Sequence, residues 1–241
     1  MEILMKADHP FLCGINYVFQ TQLRLYFIMP FIDGGELYKI FKNYRRFTES
    51  QAKFYAAQMI IGIGKLHEKG IVHRDLKLEN IMLDANGYIK IIDFGLAKIL
   101  ATDEVAMTQC GTSEYFAPEV LKQCGYDKMV DYWAVGILIY EMTFGVTPFF
   151  SRNKHELMLN IQKKPLEFPT HLVCSEEVKD LITRLLNRIP FNRLGSRNGP
   201  EEVLNHSWFE GLDVQGLENM ELCAPILPGG DEKYFNIKGK G

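Results

Sequence analysis

The sequence predicts an α+β fold, with a small sheet region first and a larger, mainly helical part after it. Three observations carry this. Two short apolar runs, 15–20 and 23–29, are separated only by Thr21 and Gln22, the spacing of a hairpin. From Thr48 onward, apolar residues recur at helical intervals (Tyr55, Met59, Ile63, Leu66). Most of the remaining chain repeats that helical signature, most clearly in the stripe Val178, Leu181, Ile182, Leu185 and Leu186.

Residues 1–7 read as a short helical piece ended by His9-Pro10, because the position before a proline is pushed out of the helical region. After the two strands, Asp33-Gly34-Gly35 marks a turn and a short helix begins at Glu36. Thr48 and Gln51 have the spacing of a capping box, which opens a helix running to Gly70. Strands over 81–84 and 88–92 flank Asn86-Gly87, a strong two-residue hairpin signal. Residues 96–126 show little periodicity and read as a long loop, the kind of segment that usually carries function or is disordered. The apolar stretch 129–145 is interrupted by Asp131 and Glu141, so it reads as a buried helix and not a membrane span. Pro200 opens a short helix with Glu201 and Glu202 in its first turn, where acids are favoured. Beyond Trp208, with Pro225, Pro228 and Gly229-Gly230, the chain reads as an irregular surface tail. Gly62-Ile63-Gly64-Lys65 looks faintly like a phosphate-binding loop, but it lies inside the helix begun at Thr48 and follows no strand.

The 241 residues suffice for one large domain or two small lobes. With 47% hydrophobic and 24% charged residues, a disordered chain, a collagen-like repeat and a disulfide miniprotein are excluded. Lys plus Arg is 27 and Asp plus Glu is 30, a net charge of -3, so no global basic field points to nucleic acid or an anionic membrane. Cys13, Cys110, Cys124, Cys174 and Cys223 are scattered without a C-x-x-C pair, as expected of reduced thiols in an intracellular, cytoplasmic protein. No apolar core of signal-peptide type precedes residue 12.

The chemistry-bearing segment is His73-Arg74-Asp75-Leu76-Lys77-Leu78-Glu79-Asn80, followed by Asp93-Phe94-Gly95. Any one of these residues could be a surface charge between strands; the joint set is not coincidental. It resembles the catalytic loop and metal-binding triplet of eukaryotic protein kinases. Thr108-Gln109-Cys110-Gly111-Thr112-Ser113-Glu114-Tyr115-Phe116-Ala117-Pro118-Glu119 is similar to the activation segment of the AGC serine/threonine kinases. Asp131-Tyr132-Trp133, Asn192-Arg193-Leu194-Gly195 and His206-Ser207-Trp208-Phe209 continue the match, which covers essentially the whole chain and looks most like the cAMP- and cGMP-dependent kinases.

The resemblance implies a two-lobed kinase fold: a remnant of the small lobe over 1–31, a large lobe over 32–209 and the start of an AGC-type tail over 210–241. It implies phosphorylation of protein Ser/Thr with ATP and Mg2+, where catalysis is mostly positioning and electrostatics. Asp75 would orient the substrate hydroxyl and accept its proton, and Lys77 would neutralise the γ-phosphate. Asn80 and Asp93 would hold Mg2+, which prefers hard oxygen ligands. Thr112 would hydrogen-bond Asp75 and Lys77, favouring Ser/Thr over Tyr. Met29, Pro30, Phe31 and Ile32 match the hinge, with Met82 and Ile92 packing against adenine and Glu36 beside the nucleotide. Arg74 and Lys98 would pair with a phosphate on Thr108. Glu36, Glu79 and Glu141 match positions that bind arginines before the phosphoacceptor, so the implied partners are basic protein or peptide substrates, with a regulatory subunit or an upstream activating kinase besides. Glu119, Arg193 and Asp131 match scaffold positions.

A family kinase also needs a Gly-rich loop, a strand lysine and a helix glutamate, and none has a counterpart here. Ile3-Leu4 matches the pair that follows the glutamate, and Glu2 is displaced by two residues, a rotation of roughly 200°. The expectation is an incomplete stretch of a longer kinase begun at an internal methionine, with an exposed strand edge and an uncovered apolar face at 15–29. Losing the lysine and loop together should cost on the order of 10⁴ in rate or more. The alternative is a pseudokinase-like binding or scaffold module. Gln109, Ser113 and Leu78 depart from the usual pattern, and Tyr234-Phe235 resembles the start of the AGC tail tether.

Overall fold

The structure, a computed structural model, describes residues 8–101 and 104–228. The helical piece expected at 1–7, including Ile3 and Leu4, and the tail positions Tyr234 and Phe235 lie outside the described residues.

Strands β1 (Tyr17–Gln20) and β2 (Leu25–Ile28) form an antiparallel pair with Tyr17 opposite Ile28 and Gln20 opposite Leu25. They are shorter than their apolar runs because Thr21 to Arg24 make the turn, with the Arg24 N–H donating to Thr21 Oγ1 at 3.1 Å. The pair forms a two-stranded sheet, and its apolar side chains stand in solvent: Tyr17 is 72% exposed and Leu25 52%. Phe19 and Tyr26 stack on each other at 4.7 Å, a local substitute for a covering layer.

Helix α1 (Leu37–Tyr44) buries Leu37, Ile40 and Phe41 along one stripe. Helix α2 (Glu49–Glu68) starts from a complete capping box: Thr48 Oγ1 accepts from the Gln51 N–H, and Gln51 Oε1 accepts from the Thr48 N–H. Gly62 and Gly64 sit inside α2, as their flanking periodicity implied. A Cβ on Gly64 would lie 2.7 Å from Pro200 Cγ, so the missing side chain is what lets a neighbouring helix approach. Strand β3 (Ile71–Val72) leads into the His73–Asn80 loop, and β4 (Ile81–Leu83) and β5 (Ile89–Ile91) make the hairpin around Asn86-Gly87.

The 96–126 stretch is more ordered than its weak periodicity implied. It holds β6 (Lys98–Ile99) paired to β3, a 3₁₀ turn over Ser113–Tyr115, and helix α3 (Pro118–Lys122) with proline at its start. Each piece is too short to show a period. Helix α4 (Met129–Phe144) is buried at every position, Asp131 and Glu141 included. Helices α2 and α6 (Glu176–Leu185) pack on α4, with α5 (Lys154–Lys163) between them in sequence. The expected α6 stripe is buried. Arg193, 0% exposed, forks onto Glu119 (2.7 and 3.0 Å), donates to the Met129 carbonyl and stacks over Trp133 at 5.2 Å, tying α3 to α4.

Helix α7 (Gly199–Leu204) packs on α2. The stretch after Trp208 is not wholly irregular: α8 (Val214–Glu218) forms there, capped by Asp213 Oδ1 accepting the Gly216 N–H, and buries Leu217. One cap and five residues leave no pattern to read. From α8 the chain crosses the β4–β5 hairpin, where the Tyr88 hydroxyl donates to the Leu222 carbonyl and a Cβ on Gly87 (φ +81°) would run into the Ile226 carbonyl. Every cysteine is a free thiol. Among the described residues no helix is long and apolar enough to cross a membrane.

Candidate active site

The loop between β3 and β4 is held from beneath by Asp131, in the first turn of α4. Its Oδ1 accepts the Arg74 N–H and its Oδ2 the His73 N–H, both at 2.9 Å, and Oδ2 also takes His67 Nε2 at 2.8 Å. Burial raises the proton affinity of Asp131, but the bonds from His67 and the loop amides outweigh it and hold the carboxyl below the usual range. This anchoring keeps Arg74 at φ +72°, a conformation that a non-glycine residue adopts only when its surroundings impose it. His73 is buried and its pKa is pushed down, chiefly by desolvation; the neutral ring faces the Ile92 carbonyl through Nε2 and accepts the Asp75 N–H at Nδ1.

Asp75 is the most heavily solvated carboxylate of the cleft, and protein groups do the solvating. Its Oδ1 accepts the Thr112 N–H and hydroxyl, both at 2.9 Å. Its Oδ2 accepts Lys77 Nζ at 2.8 Å and Asn80 Nδ2 at 3.1 Å. Desolvation pushes its pKa up, yet Lys77, Thr112 and Asn80 together bring it below the usual carboxylate range. Lys77 Nζ also donates to Thr112 Oγ1 at 2.8 Å, so Asp75, Lys77, Thr112 and Asn80 form one network.

Asp93 stands at φ +61° in solvent, with its Oδ1 taking the Gly95 N–H at 3.1 Å. The Ile92 N–H donates to the Asn80 carbonyl at 2.9 Å, which brings the strand end carrying Asp93 alongside Asn80. Because Asn80 Nδ2 is engaged by the Asp75 carbonyl and carboxylate, its Oδ1 is the end left for another partner. An amide oxygen and an exposed carboxylate on adjoining segments fit a magnesium ion, which keeps waters and substrate phosphates as its remaining ligands. Among the described residues no cluster of three or more His, Cys, Asp or Glu could hold a metal by itself.

Beside Asp93 opens a cleft of about 790 Å³, a size suited to a small organic ligand. Met29, Pro30, Phe31, Ile32, Met82 and Ile92 line it, so the hinge-like residues and the two packing residues share one wall system. Cys13 and Phe27 line it too and were not expected; an isolated Cys and a strand Phe carry no signal of their own. Glu36 is not a lining residue. It forms an ion pair with Lys39 at 2.6 Å, and its backbone bridges Met82.

Glu141 is buried, and its carboxyl is pushed up to about 7, first by desolvation and then by the charges of Glu79 and Glu114 against the opposing bond from the Tyr115 hydroxyl (2.6 Å). Glu79 Oε2 is buried without a partner. Glu79 and Glu141 thus belong to one acidic neighbourhood. Thr108 is exposed, while Lys98 pairs with Glu104 at 3.0 Å. Arg74 reaches the Thr108 region through the Tyr126 hydroxyl. His67 and Tyr126, both structurally prominent, were not singled out from the sequence; their partners lie 64 and 52 positions away, beyond any local pattern.

A family model described as the protein kinase domain matches residues 1–209. The chain is 45% identical to the serine/threonine-protein kinase sck2 of Schizosaccharomyces pombe, over 92% of this chain and 34% of that protein. It is 42% identical to the serine/threonine-protein kinase Sgk1 of Xenopus tropicalis, over 94% of this chain and 54% of that one. For sgk-1 of Caenorhabditis elegans, also a serine/threonine-protein kinase, the figures are 41%, 94% and 49%. The chain belongs to the protein kinase domain family, in the AGC serine/threonine group that its motifs resemble. It spans between 34% and 54% of the length of these relatives.

Proposed function

We propose that this protein phosphorylates Ser and Thr in proteins, using ATP with Mg2+. The observation that carries this reading is the carboxylate of Asp75 with four donors around it, next to an amide and a carboxylate fit for a divalent ion. Asn80 and Asp93 would hold Mg2+, and Met29, Phe31, Ile32, Met82 and Ile92 would enclose adenine. Magnesium-bound ATP supplies an electrophilic phosphorus whose oxygens are partly neutralised. The chain's part is positional. Asp75, kept charged by its depressed pKa, accepts a hydrogen bond from the substrate alcohol and receives its proton as the alcohol oxygen bonds the γ-phosphorus and the bond from that phosphorus to the departing ADP oxygen breaks. Lys77, already paired to Asp75 and Thr112, presents its charge at the same spot. Thr112 ties the activation segment to the base, which suits a short aliphatic hydroxyl.

Substrates with basic residues suit the acidic neighbourhood of Glu79 and Glu141, since a guanidinium would satisfy the buried, unpartnered Glu79 Oε2. Glu36 would contribute only by releasing Lys39. Thr108, with Arg74 and Lys98, is the proposed regulatory site for an upstream kinase. The division into a small-lobe part (1–31), a large lobe (32–209) and a tail (210–241) fits the exposed hairpin followed by the buried helices. Free thiols suit a reducing, cytoplasmic setting.

The test is Mg-ATP thermal stabilisation together with phosphate transfer to an arginine-containing serine peptide, comparing wild type with Asp75→Asn when each is joined to an N-terminal lobe that supplies the Gly-rich loop, the strand lysine and the helix glutamate. The expected outcome is stabilisation in both and transfer in the wild type alone. A well-folded sample showing neither stabilisation nor transfer would instead make the chain a non-catalytic module for basic peptides.

A further inference from the structure

A second cavity, of about 660 Å³, opens where the end of α2, strand β3, the stretch after β6 and the start of α4 come together. It shares no lining residue with the cleft beside Asp93, and its volume also suits a small organic ligand. Ile71, Leu100 and Val105 supply apolar wall. Ile71 and Leu100 are buried, fixed by the β3–β6 pairing and by the Leu100 N–H donating to the Gly70 carbonyl at 2.8 Å.

Three carboxylates line the same cavity, Glu68, Glu104 and Asp127, against one lysine, Lys128. Glu104 is engaged at both oxygens, by Lys98 Nζ at 3.0 Å and by the Ala101 N–H at 3.1 Å. Glu68 gives Oε1 to Lys65 at 3.3 Å, and Asp127 gives Oδ1 to the Met129 N–H at 2.9 Å. Among the described residues Glu68 Oε2 and Asp127 Oδ2 have no partner. Exposed acids alone attract only passing counterions.

His67 adds a separate demand. It lines the cavity with its side chain 4% exposed. Its Nε2 lies 2.8 Å from Asp131 Oδ2, and a carboxylate only accepts, so Nε2 carries the hydrogen. In the neutral ring Nδ1 then presents a lone pair, and that nitrogen is buried without a hydrogen-bond partner. A buried acceptor in this state costs free energy until a donor reaches it. The lone pair and the two free carboxylate oxygens call for the same thing, N–H donors bearing positive charge. The apolar wall calls for hydrocarbon.

We propose that this cavity is a second ligand site, for a small amphipathic cation: an ammonium or guanidinium on a short apolar body. The cation donates to His67 Nδ1 and faces Glu68 and Asp127, while its hydrocarbon lies on Ile71, Leu100 and Val105. An anion meets the wrong charge here, and a neutral apolar molecule leaves the acceptors unmet.

The test is titration of the full chain with 4-phenylbutylammonium, followed by NMR of the Ile, Leu, Val and Met methyls and of the His67 ring nitrogens. Neutral 4-phenylbutanol and anionic 4-phenylbutyrate are the comparison probes. The ammonium should give saturable shifts at Ile71, Leu100, Val105 and His67 Nδ1, with an affinity about tenfold above either analogue. Glu68→Gln combined with Asp127→Asn removes two exposed charges and keeps the acceptors for Lys65 and Met129. It should weaken the ammonium about tenfold and leave the alcohol unchanged. Equal or tighter binding of an analogue, an unmoved His67 Nδ1, or an unweakened double variant would each overturn the site. Shifts confined to Met29, Met82 and Ile92 would overturn it too, by seating the probe in the cleft beside Asp93. Should the double variant not fold, salt decides on the wild type: going from 0.15 to 1 M shortens the screening length from about 8 to about 3 Å and should weaken the ammonium severalfold but not the alcohol. A salt-independent ammonium would overturn the charge recognition. Neither nucleotide nor phosphate transfer enters the test, so the site stands or falls apart from the phosphotransferase reading.

Discussion

The β1–β2 hairpin and helix α4 are both rich in large apolar side chains, and they meet opposite fates. Every residue of α4 is buried, whereas Tyr17, Phe19, Leu25, Tyr26, Phe27 and Ile28 of the hairpin are exposed. Apolar content alone does not produce burial; an element is buried when others present faces to it. Helix α4 has α2 on one side and α6 on another, and among the described residues the hairpin pairs only with itself. A two-stranded ribbon is marginal in water without a covering layer, so the stability of this chain resides in the helical block.

Three variants sharpen that contrast. The largest effect belongs to Arg193→Ala, which leaves Glu119 buried without its fork. The cost should be about 3–5 kcal/mol, the range for breaking a buried pair on one side, read as a drop in the denaturation midpoint. A cost under about 1 kcal/mol would mean that the block is not held at this point. Next comes Glu141, whose folded pKa of about 7 lies above its ordinary 4.5. The folded state binds the extra proton, so the stability it contributes is present below pH 4.5 and is lost as pH rises through 7. Glu141→Gln keeps an acceptor for the Tyr115 hydroxyl and should flatten stability between those values, a difference on the order of 3 kcal/mol at pH 8. A wild-type profile with no fall over that window would contradict the burial argument. The smallest effect belongs to the hairpin: Tyr17→Ser with Leu25→Ser should change stability by no more than about 0.5 kcal/mol, while aggregation measured by light scattering falls. A loss above about 2 kcal/mol would show that the hairpin is stabilised by packing after all.

Much of the scaffold could be read from local pattern. The Thr48–Gln51 cap, the buried helix at 129–145, the placing of Gly62 and Gly64 inside a helix and the Asn86-Gly87 hairpin each depend on residues within a turn or two of one another. The side chains that the structure brings together at the candidate site were legible because Asp75, Lys77 and Asn80 lie in one short run, with Thr112 added by resemblance. What stayed hidden depends on long-range approach. His67 meets Asp131, Glu49 accepts from Ser175 and Trp208, and Tyr126 meets Arg74 only once the helices have packed. The pairing of Lys98 with Glu104 is local, yet many such acids and bases could pair, and only geometry selects among them. The small elements β6, α3 and α8 were missed because their conformations come from neighbours and caps more than from propensity.

Asp131 reaches the 73–80 loop from a helix buried at every position, and it grips three nitrogens with two oxygens. The geometry of the candidate site is thus a passenger on the innermost element of the protein. It cannot soften by degrees as the periphery loosens; heat or denaturant should leave it intact until the helical interior itself gives way, and then remove it in the same cooperative step.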